Sequence, residues 1–495
     1  MVVRSTDSTI TASSCHNRRM TDADRAPHPI RHWIAAAFIA LAGLIVAAPA
    51  TGAPSPGSSG IGDPYFPLDG NGGYDAEHYD IQTRYSLRSG VLSGTTTITA
   101  MATQDLSAFN LDFLLRTLTV TVDGQPAQFT TPHPHELTVI PAQPILTGTR
   151  FKVTVTYQGR PALRSYLGSS SWLQNGFEVA AVGEPHIAPW WFPSNDHPRD
   201  KATFSQHITT ARMAIANGVS KPSTAAGGGL VTYHFASSEP MATYLAFFVI
   251  GQFRFDSEVV DGVRYTYAVS TLYRPEYRTL RMRQLRRTKP VIRWLSTKLG
   301  PYPFATAGGV ASSIFTIGAM ETQSRPVYGS VPPMLGVVVH ENAHQWFGDS
   351  VSPARWRDVW LNEGFAQFME WWYAEEHGGR TTTAELRRVY KAASPIARFW
   401  RVTVANPLPK NLFSGPVYFR GAMTLAALRN RIGDAAFTTL LRRWTSERQG
   451  GTGTTEQFRQ LAEDVSGQDL DAFFHVWVGS TGRPRATTAN GFAPR

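Results

Sequence analysis

The feature that most constrains the fold is a pair of histidines, His340 and His344, in the sequence HENAH. Residues four positions apart lie on the same face of an α-helix, so two imidazoles with this spacing can bind one metal ion. Glu341 follows the first histidine, where a carboxylate faces a water molecule beside the metal. The apolar residues 334–339 before the motif and Gly348 after it predict a short helix. On this motif alone, two surface histidines on an ordinary helix are the alternative.

Glu363 favours the metal-site interpretation because it provides a third ligand. Hydrolytic zinc sites usually combine three protein ligands with one open position, and two histidines with one glutamate are a common set. Residues 360–375 have apolar side chains at helical spacing, and Glu363 is an acidic residue near the start of this stretch. The sequence therefore predicts two packed helices that bind one zinc ion per chain through His340, His344 and Glu363.

These motifs resemble those of the gluzincin aminopeptidases, the family of aminopeptidase N and leukotriene hydrolase. The family signature is HExxH followed, after eighteen residues, by the Glu of an NEGFA block, and the same spacing occurs here. The resemblance implies an α+β multidomain fold, with an N-terminal antiparallel β domain before a thermolysin-like, mixed α/β and mainly helical catalytic domain. We expect a short two-domain form without the C-terminal helical domain of larger relatives.

The resemblance also implies substrate-binding residues. The family has a GAMEN-like strand before the zinc motif, and the matching residues here read GAMET, with Thr322 in place of the usual Asn. Glu321 of this segment would bind the free amine of a peptide and limit the enzyme to its N-terminus. Glu184 would share the binding of this amine, and Gly318, Ala319 and Met320 would make further contacts to substrate. From the residues alone, the loop around Glu184, rich in Pro and aromatic residues, is a surface loop.

Two catalytic roles are expected. Glu341 would act as general base on a water activated by the metal and would later carry the proton to the leaving amine. Tyr418, in the sequence GPVYFRGA, matches the family tyrosine that donates a hydrogen bond to the oxyanion, although the residues alone indicate a core aromatic. Asp358 is expected either to orient a zinc-bound histidine or to begin a helix.

The first 50 residues predict an exported protein. An apolar run follows Arg25 and Arg31 and ends at Ala48-Pro49-Ala50, as is typical of a secretory signal peptide. We therefore expect a secreted or cell-envelope protein, whose true start is Met1 or Met20. An uncleaved leader is the alternative, and only in that case do we expect association with a membrane.

The remaining chain divides according to its residue pattern. A stretch rich in Pro, Gly and Ser predicts a flexible linker, short alternating runs separated by turns predict strands, and later segments have helical periodicity. The predicted divisions are a signal peptide (1–50), a linker (51–73), a β-rich domain (74–255), a zinc catalytic domain (256–485) and a C-terminal tail (486–495).

The sequence as a whole predicts an exported zinc metallo-aminopeptidase whose partners are peptides with a free N-terminus. The net charge is +10, but no nucleic-acid-binding motif accompanies it, so we expect no nucleic-acid partner. A zinc endopeptidase with an open cleft is the nearest alternative, and the pair Glu321 and Glu184 argues against it. A non-catalytic peptide-binding relative is a further alternative, but the expected ligands and base are all present.

Overall fold

The computed structural model describes residues 53–315, 318–329, 334–394 and 396–492. The predicted signal peptide lies outside the described residues. In these ranges, no helix is both long and apolar enough to cross a membrane.

Strands dominate the first half of the described chain. Their bounds are β1 (Ser55–Pro56), β2 (Tyr74–Ser86), β3 (Val91–Ala102), β4 (Leu106–Asp112), β5 (Arg116–Val122), β6 (Gln125–Pro126), β7 (Gln128–His133), β8 (Glu136–Ile140), β9 (Arg150–Gly159), β10 (Trp172–Gln174), β11 (Val179–Ala181), β12 (Lys201–Thr210), β13 (Met213–Ala216), β14 (Val219–Ala225), β15 (Val231–Ala242), β16 (Phe248–Gly251), β17 (Phe253–Val260), β18 (Val263–Ser270), β19 (Thr306–Ala311), β20 (Ala319–Met320), β21 (Val327–Tyr328), β22 (Ser352–Pro353) and β23 (Thr452–Gly453).

Helices dominate the second half. Their bounds are α1 (Pro275–Leu285), α2 (Thr288–Leu299), α3 (Leu335–Ala343), α4 (Trp360–Glu376), α5 (Thr382–Ala393), α6 (Ala397–Trp400), α7 (Gly415–Ile432), α8 (Asp434–Glu447), α9 (Thr455–Ser466) and α10 (Asp471–Phe474). The predicted fold class, a β-rich N-terminal domain followed by a mainly helical catalytic domain, is confirmed.

The β domain contains three sheets. The largest has eight strands in the order β14-β15-β12-β2-β3-β9-β5-β6, and two four-stranded sheets have the orders β1-β4-β8-β7 and β10-β11-β16-β13. Side chains of β12 alternate between buried and partly buried positions, so one face of the large sheet packs in the core. Most pairs are antiparallel as predicted, but β2 pairs with β12 in parallel. Hydrophobic alternation identifies such strands without giving the direction of their partners.

The segment before β2 is packed against the domain, in contrast to the predicted flexible linker. Ser55 and Pro56 extend a sheet by pairing with β4. Asp63 is buried, and its carboxylate accepts hydrogen bonds from the backbone N–H groups of Tyr65 and Trp356. Pro, Gly and Ser are typical of linkers, but here these specific polar contacts order the chain.

The catalytic half is built around a five-stranded sheet with the order β17-β18-β19-β21-β20. The three inner strands are parallel, and each edge strand is antiparallel to its neighbour. The edge strand β20 contains Ala319 and Met320, so the GAMET segment lies at the edge of the sheet. The change from one sheet to the next falls between β16 and β17, at Gln252, close to the predicted boundary at 255.

Pro290 lies inside α2 without breaking this helix. Residues 278–298 form parts of two helices, and the break is at Arg286 and Arg287, before the proline. Pro290 is the third residue of α2, where the backbone N–H has no partner inside the helix. A proline is therefore compatible with this position.

Helices α4 and α7 approach closely at two glycines. A Cβ atom added to Gly364 would lie 2.9 Å from the Cα of Gly421, which is too short for an ordinary contact. Because neither residue has a side chain, the two backbones can pack directly against each other. This contact brings α7, which carries Tyr418, next to the helix that carries Glu363.

Candidate metal centre and active site

The three predicted metal ligands converge between α3 and α4. His340 lies on α3, His344 directly follows its last residue, and Glu363 is in the first turn of α4. Glu363 Oε2 is 3.2 Å from His340 Nε2 and 3.5 Å from His344 Nε2. Ligand bonds of about 2.0–2.2 Å in a tetrahedral zinc site place donor atoms roughly 3.3–3.5 Å apart. The donor set therefore fits one zinc ion.

The electrostatics of these residues favour a bound cation. Burial opposes the charged imidazolium, but hydrogen bonds to Glu363 and Glu370 raise the pKa of His340 well above its ordinary value. Burial likewise works against the Glu363 carboxylate, whereas His344 and His340 lower its pKa to about 2. Glu363 is thus held as a carboxylate in a buried site, where it attracts positive charge.

Two contacts orient the histidine rings. Glu370 Oε1 is 2.8 Å from His340 Nδ1, and the backbone oxygen of Phe347 is 3.0 Å from His344 Nδ1. Acceptors at both Nδ1 atoms favour the tautomer whose Nε2 lone pair faces the metal position. Asp358, considered for this role from the sequence, instead accepts hydrogen bonds from Thr455 at the start of α9. Glu370 is seven residues after Glu363, so two helical turns place both on one face of α4.

Three further carboxylates surround the metal ligands. An oxygen of Glu341, an oxygen of Glu321 and a nitrogen of His344 all lie within 4.8 Å of one another. Glu184, from the loop after β11, has an oxygen within 4.8 Å of oxygens on Glu321 and Glu363. The structure therefore brings together the sequence-predicted base, the two predicted amine-binding residues and the metal ligands.

Burial and mutual repulsion raise the pKa values of these carboxyl groups. Burial raises the pKa of Glu341 to about 7 despite the opposing effect of His340 and His344. Burial and the neighbouring Glu321 raise the pKa of Glu184 well above its ordinary value. One oxygen of Glu184 and one of Glu321 have no hydrogen-bond partner among the described residues. A cationic group bound between them would provide both charge and hydrogen bonds.

The GAMET segment is fixed to the end of the metal-binding helix. Gly318 has a φ of 54°, a left-handed conformation that favours glycine, and Ala319 and Met320 pair with β21. Gln345 Nε2 donates to the Glu321 backbone oxygen over 2.9 Å, and Gln345 Oε1 accepts from the Ser324 N–H over 2.7 Å. One side chain thus holds both sides of the turn that carries Glu321.

Tyr418 lies beside the metal ligands, as the resemblance implied. Its ring is stacked on that of His340, with centroids 6.0 Å apart and an angle of 19° between the planes. Burial and nearby carboxylates, Glu363 first among them, raise its pKa well above the ordinary value. The hydroxyl is therefore protonated at neutral pH and can donate a hydrogen bond.

Comparisons with known proteins agree with this geometry. The family model described as the peptidase family M1 domain matches residues 283–477, and the peptidase M1 N-terminal domain matches residues 75–245. A solved variant of an M1 zinc metallopeptidase from Deinococcus radiodurans, bound to a Tyr-Ser-Ala substrate, is 30% identical with a TM-score of 0.75. The match covers 86% of this chain and 98% of that one. The chain belongs to peptidase family M1.

Other M1 peptidases and aminopeptidases are also similar to this chain in structure or in sequence. A structure of a two-domain M1 zinc metallopeptidase variant bound to L-arginine is 28% identical with a TM-score of 0.75, and the match covers 86% of this chain and 99% of that chain. Rat endoplasmic reticulum aminopeptidase 1 is 32% identical over 48% of this chain and 27% of its own length. Aminopeptidase N of Lactobacillus helveticus is 25% identical over 83% of this chain and 51% of its own length. The chain thus spans about half or less of these two aminopeptidases. Membership of this M1 family is consistent with one zinc ion in the His₂Glu site.

Proposed function

We propose that this protein is a zinc-dependent aminopeptidase that hydrolyses the first peptide bond of peptides with a free N-terminus. The observation that carries the proposal is the position of Glu184 and Glu321 beside the His340, His344 and Glu363 donor set. A metal-binding set alone fits many hydrolytic reactions. A buried carboxylate, Glu321, and a partly buried one, Glu184, at one side of it fit a substrate whose reactive bond lies one residue from a positive charge.

The metal and the base would share the chemistry of hydrolysis. A zinc ion held by His340, His344 and Glu363 would supply Lewis-acid chemistry by polarising the scissile carbonyl and lowering the pKa of water. Glu341 would accept the proton of the attacking water and transfer it to the leaving amine. Glu341 is buried, and one of its oxygens lies within 4.8 Å of a nitrogen of the metal ligand His344.

Tyr418 would stabilise the charge that develops on the carbonyl oxygen. Its hydroxyl is protonated and its ring is held against His340 by stacking. A donor already positioned toward the developing oxyanion is worth about 10²–10³ in rate. The close packing of α7 on α4 keeps this donor beside the metal ligands.

The amine-binding residues account for specificity toward N-termini. Burial raises the cost of ionising both Glu184 and Glu321, and the charge of Glu321 adds to that cost at Glu184. A protonated amine bound between the two carboxylates offsets this cost. An acetylated amine has no charge and would leave these two carboxylates without a cationic partner. We therefore expect hydrolysis to require the free amine.

A pair of peptides tests this function directly. The cleavage rates of one peptide and of its N-acetylated form are compared, with and without 1,10-phenanthroline. We expect cleavage of the first bond of the free peptide, loss of this activity with the chelator, and little cleavage of the acetylated peptide. Equal internal cleavage of both would replace the aminopeptidase by a zinc endopeptidase. No cleavage by a zinc-loaded preparation would favour a peptide-binding function.

We also propose that the protein is exported through its N-terminal leader. The apolar run and small residues before residue 51 are typical of a secretory leader. Expression of the full chain in a bacterial host, followed by N-terminal sequencing of protein recovered outside the cytoplasm, tests it. Recovery of the intact N-terminus in the cytoplasmic fraction would contradict export.

A further inference from the structure

A second group of buried acidic residues and histidines lies in the β domain, apart from the catalytic residues. We call it the β-domain cluster, and it consists of Asp69, Asp112, His135, Glu136, His186 and Asp196. Each of these side chains is at least nine-tenths buried. Asp112 and Glu136 are direct partners across the antiparallel pair of β4 and β8. Like charges in such a pair repel each other, so their burial together needs a compensating charge.

His135 lies at the centre of three carboxylates. Its Nε2 atom is 3.6 Å from Glu136 Oε1, 3.8 Å from Asp112 Oδ1 and 4.0 Å from Asp69 Oδ1. The backbone oxygen of Leu68 is 3.2 Å from the same nitrogen, and the hydroxyl of Tyr166 is 3.0 Å away. Five oxygen atoms that could act as metal ligands thus lie within 4.0 Å of one imidazole nitrogen.

Several oxygens in the cluster have no hydrogen-bond partner among the described residues. They include both carboxylate oxygens of Glu136, Oδ1 of Asp112, and Oδ2 of Asp69 and Asp196. The other oxygen of Asp112 accepts from the Asn71 side chain and from the Asp196 N–H, so the carboxylate is held in place with its second oxygen facing His135. Buried polar atoms are nearly always paired, so this group of exceptions calls for a ligand.

Protein side chains in the described residues do not neutralise this charge. The ion-pair partners of these four carboxylates are histidines, and burial lowers the pKa of both His135 and His186. Protonation of the carboxyl groups is the alternative to a bound cation. Neither oxygen of Glu136 accepts a hydrogen bond from a described residue, and an oxygen of Glu136, an oxygen of Asp112 and a nitrogen of His135 all lie within 4.8 Å of one another. A cation uses the lone pairs of several oxygens at once and leaves no donor unsatisfied.

We propose that Asp112, His135 and Glu136 bind a divalent metal cation in the β domain, with Asp69 as a further ligand. Carboxylate-rich sites suit hard cations such as Ca²⁺ and Mn²⁺, and an imidazole ligand is compatible with Mn²⁺. The separations of 3.6–4.0 Å from His135 Nε2 are longer than the roughly 3.3–3.5 Å expected between ligands of tetrahedral zinc. Bonds of about 2.3–2.6 Å in octahedral coordination place adjacent ligands roughly 3.3–3.7 Å apart, so a larger cation needs less movement of these side chains than zinc does.

Such a cation would connect the β domain to the substrate-binding loop. Asp69 belongs to the segment before β2, while Asp112 and Glu136 belong to adjacent strands. Asp69 Oδ2 is also 3.2 Å from Nδ1 of His186, a contact without hydrogen-bond geometry, and His186 follows Glu184 by two positions. A cation on Asp69 would hold this contact and, through it, the loop that presents Glu184 to the active site.

Metal analysis of the full-length protein tests the proposal. The wild-type chain is loaded with zinc, dialysed against Mn²⁺ or Ca²⁺, and measured by inductively coupled plasma mass spectrometry. We expect one zinc and one equivalent of Mn²⁺ or Ca²⁺ per chain. Glu136→Gln should lose the second cation and keep the zinc. Asp75→Asn, which changes an exposed carboxylate of β2, is the matched control and should keep both metals.

Thermal unfolding provides a second test, because a bound cation and the absence of a cation predict different effects of Glu136→Gln on Tm. If a cation is bound, Mn²⁺ or Ca²⁺ should raise Tm of the wild type by several degrees, and Glu136→Gln should lose this response. If no cation is bound, Glu136→Gln removes an unpaired buried carboxylate and should be as stable as the wild type or more so. Should Glu136→Gln not fold, titration of the zinc-loaded wild type with Mn²⁺, followed by electron paramagnetic resonance, still decides. Absence of a saturable Mn²⁺ or Ca²⁺ site would overturn the proposal.

Discussion

Replacement of Glu370 should weaken zinc binding although this residue is not a zinc ligand. Its Oε1 atom is 2.8 Å from His340 Nδ1, on the opposite side of the ring from the atom that faces Glu363. A carboxylate in this position fixes the histidine tautomer and increases the electron donation of Nε2. Loss of such a partner typically lowers metal affinity by about 10–100-fold, or ~1.4–2.7 kcal/mol.

The structure indicates which part of this range applies to each variant. The Glu370 side chain is 25% exposed, so water screens part of its charge. Glu370→Gln keeps an acceptor oxygen and removes the charge, so we expect a loss of about 10-fold in zinc affinity. Glu370→Leu removes both and leaves the Nδ1–H group of His340 without an acceptor, so we expect a loss nearer to 100-fold.

Competition with a chromogenic chelator measures these affinities independently of catalysis. Glu376→Gln is the control, since this residue ends the same helix and bonds Lys298 and Trp294 instead of a ligand. At saturating zinc, Glu370→Gln should recover most of its activity. Unchanged zinc affinity in both Glu370 variants would refute the argument that this contact tunes the metal site.

Four further predictions follow from the same geometry. Glu341→Gln should keep its zinc, as measured by metal analysis, and lose about 10²–10⁴ in kcat because the base is absent. Tyr418→Phe should lower kcat by about 10²–10³ with little change in KM, and a normal kcat would remove its oxyanion role. Gly364→Ala places a Cβ 2.9 Å from the Cα of Gly421, so thermal and urea unfolding should show a destabilisation of ~1–3 kcal/mol. Burial raises the pKa of Glu136 to about 8, so without divalent cations the folded chain holds a proton that the unfolded chain releases near pH 4. Stability should then fall as pH rises from about 4 to 8, and either saturating Mn²⁺ or the substitution Glu136→Gln should reduce this slope.

The metal ligands could be predicted because their spacing in the sequence is short and follows helical periodicity. His340 and His344 are related by one helical turn, and Glu363 begins the next long amphipathic pattern. The bounds of the second helix differ from the prediction by one residue, 375 against 376. Glu370 was detectable in principle from its spacing to Glu363, but periodicity shows a shared helix face without showing which residue of α3 that face contacts.

The β-domain cluster could not be predicted from the sequence, because its residues come together only through strand pairing and packing. Asp112 and Glu136 become neighbours only through the register of β4 and β8, and a shift of one residue would place Glu136 on the opposite face. Asp69 lies in a stretch whose composition is typical of a linker, and its burial results from contacts with distant residues. Periodicity shows which face of one strand or helix is buried. It does not show which residues of separate strands and loops are buried together.

The contacts between the β domain and the catalytic half have a consequence for selectivity. The Asp63 carboxylate bonds His197 in the β domain and the backbone N–H of Trp356, four residues before α4. Lys201 of β12 donates to the backbone oxygens of Asp349 and Ser350, in the turn after α3. The β domain is thus hydrogen-bonded to the segment that joins the two metal-binding helices. Since the same domain supplies Glu184, the distance between the amine-binding carboxylates and the metal ligands is set by these contacts. Selectivity for the first peptide bond therefore depends on packing between the two halves of the chain, in addition to the residues that touch the substrate.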